Sequence, residues 1–158
     1  VKRQSPVPIA AGERLYNTRA FRELLNCKAV DFVQPDVSHA GGVTGCREIA
    51  ALADCYYIPF APHNPSGPIA NAVTLQLAAS IPNFFILEIM DTDVSWRSEI
   101  SDESLVFADG CIEIPDRPGI GISLNLDALS KYPYRAKDLR HYTGQLTDIR
   151  PPERVYYF

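Results

Sequence analysis

The chain has 158 residues, a formal net charge of −4 at pH 7, 46% hydrophobic residues and 22% charged residues. This length allows one domain with its own core, and the composition is typical of a soluble globular protein. No Lys/Arg run offers a footprint for nucleic acid, and the apolar runs, such as 84–87, are too short to span a bilayer. Since residues 1–6 also lack the apolar core of a signal peptide, we expect a cytoplasmic protein that binds neither nucleic acid nor membrane.

Residues 1–90 repeat one pattern, in which a short apolar run ends in a polar residue and leads through a loop to an amphipathic helix. The apolar runs are 8–12, 29–35, 58–62 and 84–87, and helices are predicted at 18–25, capped by Thr18, at 43–57 and at 68–80. Strands that alternate with single helices indicate βαβ units and a parallel sheet. Strands of such a sheet are expected to be buried on both faces.

An ionisable side chain follows each apolar run, and each interval spans one strand–helix repeat: Glu13, Asp36, His63 and Glu88. The carboxyl ends of parallel strands meet at one edge, which carries the active site in a (β/α)8 barrel and lines the crevice of an open doubly wound sheet. Carboxylates can hold a hard cation such as Mg²⁺, and an Asp beside a His makes a general base. The set therefore favours proton abstraction next to a carboxylate.

Each residue also has a structural alternative when it is taken alone. Glu13 fits a helix cap, Asp36 an Asx turn and His63 an ordinary loop histidine. Glu88 is harder to explain structurally, because a lone carboxylate buried at the end of an apolar run is costly. For His39, on the loop after Asp36, substrate contact and a structural role are equally supported.

The pattern changes after residue 90. Residues 91–104 read as a loop, 106–114 as a β-hairpin with an Asp-Gly turn, 115–121 as a loop and 127–131 as a short helix. The segment up to residue 158 is rich in aromatic side chains, which suggests a surface that packs on another domain. We therefore divide the chain into 1–90, 91–125 and 126–158. The four cysteines lack CxxC spacing and are expected to pack as small hydrophobic side chains.

Three motifs, each of which contains one of the ionisable residues, carry a family resemblance: 8–16 (PIAAGERLY), 34–42 (QPDVSHAGG) and 61–68 (APHNPSGP). In order and spacing they resemble the mandelate racemase subgroup of the enolase superfamily, and most closely its galactonate-dehydratase-like members. The resemblance implies the C-terminal half of a (β/α)8 barrel, strands five to eight. It also implies a C-terminal tail that packs on a capping domain.

The resemblance assigns a role to each candidate residue. Glu13 corresponds to a Mg²⁺ ligand, Asp36 and His63 to an Asp–His dyad with His63 as acid/base, and Glu88 to a carboxylic acid that hydrogen-bonds the substrate carboxylate. His39 is a candidate substrate contact. The implied reaction is Mg²⁺-dependent dehydration of a sugar acid through an enediolate, by elimination of the β-hydroxyl as water. The product is a 2-keto-3-deoxy acid.

Strands one to four, with the other metal ligands and a catalytic group for the opposite face, have no counterpart in the chain. We therefore expect a piece of a longer enzyme whose partner is its own N-terminal half and whose full form is a homo-oligomer acting on a small sugar acid. A single carboxylate and unpaired strand edges predict that the piece alone is inactive. A racemase or epimerase of the same subgroup and a non-catalytic barrel fragment remain as alternatives.

Overall fold

A computed structural model describes residues 1–90, 95–102 and 105–133 of the chain. The chain divides into two compact units, Val1–Leu126 and Asp127–Phe158. In chain order, the elements after a short 3₁₀ turn at Lys2–Gln4 are β1 (Ala10–Ala11), α1 (Thr18–Asn26), β2 (Phe32–Val33), α2 (Gly42–Asp54), α3 (Pro68–Ala79), α4 (Arg97–Ile100), β3 (Phe107–Ala108), β4 (Cys111–Ile112) and α5 (Leu126–Leu129). Every helix in the described ranges is too short or too polar to cross a membrane.

The predicted parallel arrangement of the four apolar runs is confirmed. β1 pairs with β2 in parallel, β2 continues through a parallel bridge from Val33 to Phe60, and Phe60 forms a parallel bridge with Phe84. The segments around Phe60 and Phe84 are single bridges and not full strands. Neighbours along the chain are thus neighbours in space, which brings all four carboxyl ends to one edge.

Helices α1, α2 and α3 fill the connections, and the core lies between them and the strands. Phe21 and Leu25 of α1 lie one helical turn apart and are both buried, as are Ile49 and Ala53 of α2. α3 is apolar on most of its surface and begins with Pro68 at a position where no N–H partner is needed. Phe60, which is fully buried, lies in the same apolar core as residues of these helices.

Two predicted helix ends are wrong. Asn17, not Thr18, caps α1, because the Asn17 side chain accepts the Ala20 N–H. α2 ends at Asp54 and does not reach Tyr57, which is 94% exposed in a left-handed conformation with φ of 56°. A left-handed residue terminates a helix even when the apolar spacing would continue it.

The prediction that every apolar run is buried on both faces is wrong for the last run, 84–87. Phe85 and Ile86 are 61% and 59% exposed. The parallel segments lie side by side in the order β1, β2, the Phe60 segment and the Phe84 segment. Among the described residues, Phe84 therefore has a strand neighbour on one side only. The packing predicted for the cysteines holds for Cys46, which is fully buried, while the other three, Cys27, Cys55 and Cys111, are exposed.

Beyond residue 90 the hairpin is confirmed. β3 and β4 are antiparallel and join through Asp109 and Gly110, whose φ angles of 50° and 77° suit a tight hairpin turn. The loop predicted at 91–104 contains the short helix α4, which its polar sequence did not indicate. The short helix predicted at 127–131 begins one residue earlier, and the aromatic tail beyond residue 133 lies outside the described residues.

Candidate active site at the strand ends

Asp36 and His63 are brought into direct contact by the register of their strands. The two residues form a parallel β-bridge, and the His63 backbone N–H donates to the Pro35 carbonyl at 3.1 Å. Asp36 is 2% exposed and follows β2 at the start of a turn, where its backbone carbonyl accepts the N–H groups of His39 and Ala40. This tight turn requires Gly45, because a Cβ there would overlap the Ala40 carbonyl oxygen.

Hydrogen bonds hold the dyad in one orientation. The Asp36 Oδ2 atom lies 2.8 Å from His63 Nδ1, and the Oδ1 atom accepts the Ser38 backbone N–H at 2.7 Å. Because a carboxylate can only accept, Nδ1 carries the proton of this bond. The other ring nitrogen, Nε2, then keeps a lone pair with which it can take a proton. With a side chain 22% exposed, His63 remains accessible to a small molecule.

Glu13 and His39 lie together at the end of β1. The Glu13 Oε2 atom accepts the Gly12 N–H at 3.3 Å, and His39 Nδ1 lies 3.4 Å from the Glu13 backbone carbonyl. The His39 ring also meets Tyr16 edge to face, with centroids 6.2 Å apart. Both candidate side chains therefore retain polar atoms for a ligand, and His39 contacts the loop that carries Glu13.

Glu88 ends the fourth run, but it is exposed, so the argument from the cost of a buried carboxylate is wrong. Its Oε2 atom accepts a hydrogen bond from Gln34 Nε2 at 3.2 Å. Gln34 was missed by the sequence reasoning, although its position two residues before Asp36 places both side chains on the same face of the extended chain. Gln34 thus joins the edge that Asp36 and Glu88 occupy.

The described residues supply one candidate ligand for a divalent cation and not a complete site. No group of three His, Cys, Asp or Glu side chains suited to a metal ion occurs within the described ranges. Glu13 is an oxygen ligand of the kind Mg²⁺ prefers, yet one carboxylate does not displace enough of the ion's tightly held water. Neither Glu13 nor Glu88 hydrogen-bonds the dyad in the part of the chain that the structure describes.

Residues 1–128, which include the four strand ends and the Asp36–His63 pair, match the family described as enolase C-terminal domain-like. The chain belongs to the enolase C-terminal domain-like family. Its relatives also bear out the sequence resemblance, since they include sugar-acid dehydratases.

Two enzymes illustrate these enolase-family relatives. D-xylonate dehydratase of Haloferax volcanii is 41% identical over 132 residues, which cover 84% of this chain and 32% of that protein. D-galactonate dehydratase of Xanthomonas campestris is 35% identical over 142 residues, covering 85% of this chain and 37% of that protein. The chain thus spans about a third of the length of the curated relatives it matches.

A solved structure with a similar fold agrees with this family membership. The protein is a candidate L-alanine-DL-glutamate epimerase from Burkholderia xenovorans, determined with bound magnesium and fumarate. It superposes with a TM-score of 0.79 at 32% identity, over 84% of this chain and 33% of that one. The α/β arrangement described above is therefore that of the enolase C-terminal domain.

Proposed function

We propose that this chain is the C-terminal, strand-five-to-eight half of the barrel of a Mg²⁺-dependent sugar-acid dehydratase, which converts a galactonate- or xylonate-like aldonate to a 2-keto-3-deoxy acid. The observation that carries the proposal is the 2.8 Å contact between Asp36 and His63 at the ends of neighbouring parallel strands. The names of the relatives support the substrate class.

His63 acts as the acid/base. With Nδ1–H held by Asp36, Nε2 can accept the proton on the carbon next to the substrate carboxylate, or return one. Loss of that proton leaves an enediolate, and the β-hydroxyl then departs as water after it receives a proton. The resulting enol takes up a proton at the β-carbon as its hydroxyl group releases one, and so becomes the 2-keto-3-deoxy acid, with water as the only other product.

Glu88 hydrogen-bonds the substrate carboxylate, and the Gln34 amide holds the Glu88 side chain at the strand end. Glu13 supplies one oxygen ligand of a Mg²⁺ site whose other ligands lie in the rest of the enzyme, and His39 contacts the substrate near it. When bound, such an ion stabilises negative charge that develops on the substrate carboxylate.

The remaining barrel strands, the other metal ligands and the group for the opposite face belong to the N-terminal half of the same polypeptide. Two observations support this: the chain spans about a third of its relatives' length, and Phe85 and Ile86 of the fourth apolar run are exposed. We infer that 1–90 forms the half-barrel, 91–125 the loop and hairpin, and 126–158 a tail toward the capping domain. We infer further that the enzyme is a homo-oligomer.

Incubation of the full-length protein with D-galactonate and D-xylonate, in the presence of Mg²⁺, tests the function. We expect a 2-keto-3-deoxy acid from the full-length protein and none from His63→Asn. Turnover by His63→Asn equal to that of the unsubstituted protein would remove His63 from the chemistry and favour a non-catalytic role for these strands.

A racemase or epimerase is the second candidate, because the Burkholderia xenovorans neighbour carries an epimerase description. Both activities begin with the same proton abstraction, but in D₂O an epimerase returns deuterium to the α-carbon, whereas a dehydratase takes it up at the β-carbon of its product. Only the dehydratase also forms the keto-deoxy product. Deuterated substrate of inverted configuration, without that product, would favour the epimerase.

A further inference from the structure

Two buried asparagines form a link that the proposed chemistry leaves unexplained. Asn64, directly after His63, is 1% exposed, and Asn71 on α3 is fully buried. The Asn64 side-chain nitrogen donates to Asn71 Oδ1 at 2.8 Å, and the Asn71 side-chain nitrogen donates to the Met90 backbone carbonyl at 3.0 Å. We call these two bonds the amide relay. It connects the loop that follows His63 with the segment that follows Glu88.

The relay begins where the backbone ladder stops. Two backbone hydrogen bonds join the Phe60 and Phe84 segments: the Phe60 N–H donates to the Asn83 carbonyl, and the Phe85 N–H donates to the Phe60 carbonyl. The next donor would be residue 62, but Pro62 has no N–H. Among the described residues, no backbone hydrogen bond joins 61–66 to 86–90. The amide relay therefore replaces the interrupted ladder at the end of the strands where the site lies.

The direction of the relay is fixed by its end point. The Met90 carbonyl can only accept, so Asn71 must present its nitrogen to Met90 and its oxygen to Asn64. Asn64 must then donate, and its own Oδ1 atom is buried with no donor among the described residues. An unsatisfied buried acceptor is costly, and apolar side chains at both positions would avoid that cost. The amides are thus poorly explained by stability alone.

We propose that Asn64 and Asn71 are positioning residues, which fix the loop bearing His63 against the segment bearing Glu88 and so set the spacing between the base and the carboxylate-binding group. This inference rests on the proposed function of those two residues. Displacement of a catalytic group by about 1 Å can reduce the rate on the order of 10²-fold, so such a link has a measurable effect on turnover.

Two variants of the full-length protein break the relay in different ways. Asn71→Asp keeps the size of the side chain and an acceptor for Asn64, but it removes the donor to Met90. The double variant Asn64→Leu/Asn71→Leu removes both amides and leaves no orphaned side-chain partner between them, which favours retention of the fold. The matched control is Asn83→Leu.

Asn83 is a suitable control because it forms a similar link at the opposite end of the strands. Its side-chain nitrogen donates to the carbonyls of Ala50 and Ile58, and its Oδ1 atom is likewise buried without a donor in the described part of the chain. Asn83→Leu therefore removes a comparable buried amide without touching the loop after His63.

Hydrogen–deuterium exchange and steady-state kinetics are both measured. In the relay variants we expect exchange of 61–67 and 86–90 to accelerate about five- to tenfold, as loss of a hydrogen bond implies. We expect kcat to fall roughly 10- to 100-fold while KM changes little, with neither effect in Asn83→Leu at equal folded fraction.

Two results would overturn the proposal: relay variants whose exchange in both segments matches that of the control, or relay variants whose kcat matches it. If the unsubstituted protein turns over no sugar acid and exchanges no substrate proton, the proposed function fails. The exchange measurement then still decides whether the relay joins the two segments.

Discussion

Replacement of Asp36 by asparagine removes the charge from the dyad while nearly preserving its shape. The asparagine has one oxygen, which can still accept the Ser38 N–H that now lies 2.7 Å from Oδ1. Its NH₂ group would then take the place of the Asp36 Oδ2 atom, which lies 2.8 Å from His63 Nδ1. Because two donors cannot bond to each other, Nδ1 must become the acceptor and the ring proton must move to Nε2.

The cost of that change follows from the role proposed for Nε2. A protonated Nε2 has no lone pair for the substrate proton, so most of the general-base contribution should be lost. That contribution is roughly 10²- to 10⁴-fold in rate, or about 3 to 5 kcal/mol of transition-state stabilisation. We expect kcat of full-length Asp36→Asn to fall within this range, with little change in KM.

The assay is formation of the 2-keto-3-deoxy acid, together with uptake of solvent deuterium at the β-carbon of that product. Asp31→Asn is the matched control, because Asp31 also accepts a backbone N–H, that of Ile9 at 2.9 Å, but it precedes β2 at the opposite end of the strands. Equal kcat values for Asp36→Asn and Asp31→Asn, at equal folded fraction, would refute the reasoning.

Three further predictions concern stability and reactivity. Gly12→Ala should destabilise the protein by about 1 to 3 kcal/mol in urea unfolding, because the φ angle of Gly12 is 141° and the new Cβ would lie 2.6 Å from a phenylalanine ring of α1. Gly67→Ala, which has open space around it, should leave the stability unchanged, and equal urea midpoints for the two variants would contradict the prediction. Burial raises the pKa of the Cys46 thiol to about 12, and the negative charge of Asp36 adds to the effect. Cys46 should therefore resist iodoacetamide at pH 8 until the protein unfolds, and rapid labelling of Cys46 in the native protein would be inconsistent with this burial. A backbone N–H, and then the Lys2 ammonium, hold the pKa of Asp31 below its ordinary 3.8. The resulting stabilisation of the folded protein is complete above pH 3.8 and is lost as the pH falls through the lower folded pKa, so the urea midpoint should drop more steeply below about pH 4 in the unsubstituted protein than in Asp31→Asn. Parallel curves of urea midpoint against pH would contradict this prediction.

The parallel arrangement and the strand-end position of the dyad could be predicted from periodicity. One helix lies between each pair of successive apolar runs, which predicts parallel strands with Asp36 and His63 at the same edge, and the bridge between these two residues confirms this. The end of α2 was not predictable in this way, because Tyr57 continues the apolar spacing while its backbone turns left-handed. The exposure of Glu88 depends on which strand lies beside the fourth segment, and no local pattern contains that information.

Contacts between distant residues were equally inaccessible to the sequence. The Asn64–Asn71 bond links a loop to a helix whose apolar pattern gives an asparagine no evident purpose. Gln34 could have been found, since it shares the alternation that places Asp36 at the strand end. Its partner Glu88 lies 54 positions along the chain, and only the parallel stacking of the segments brings the two side chains within 3.2 Å.

In the proposed function, Glu13, the Asp36–His63 pair and Glu88 converge on one substrate. A crystal structure of the full-length protein with Mg²⁺ and a non-reacting aldonate analogue tests it most directly. We predict Glu13 bonded to the ion at about 2.0 to 2.1 Å, as Mg²⁺ requires, with His63 Nε2 within about 3.5 Å of the α-carbon and Glu88 on the carboxylate. An analogue bound elsewhere, or an ion held without Glu13, would contradict the claim.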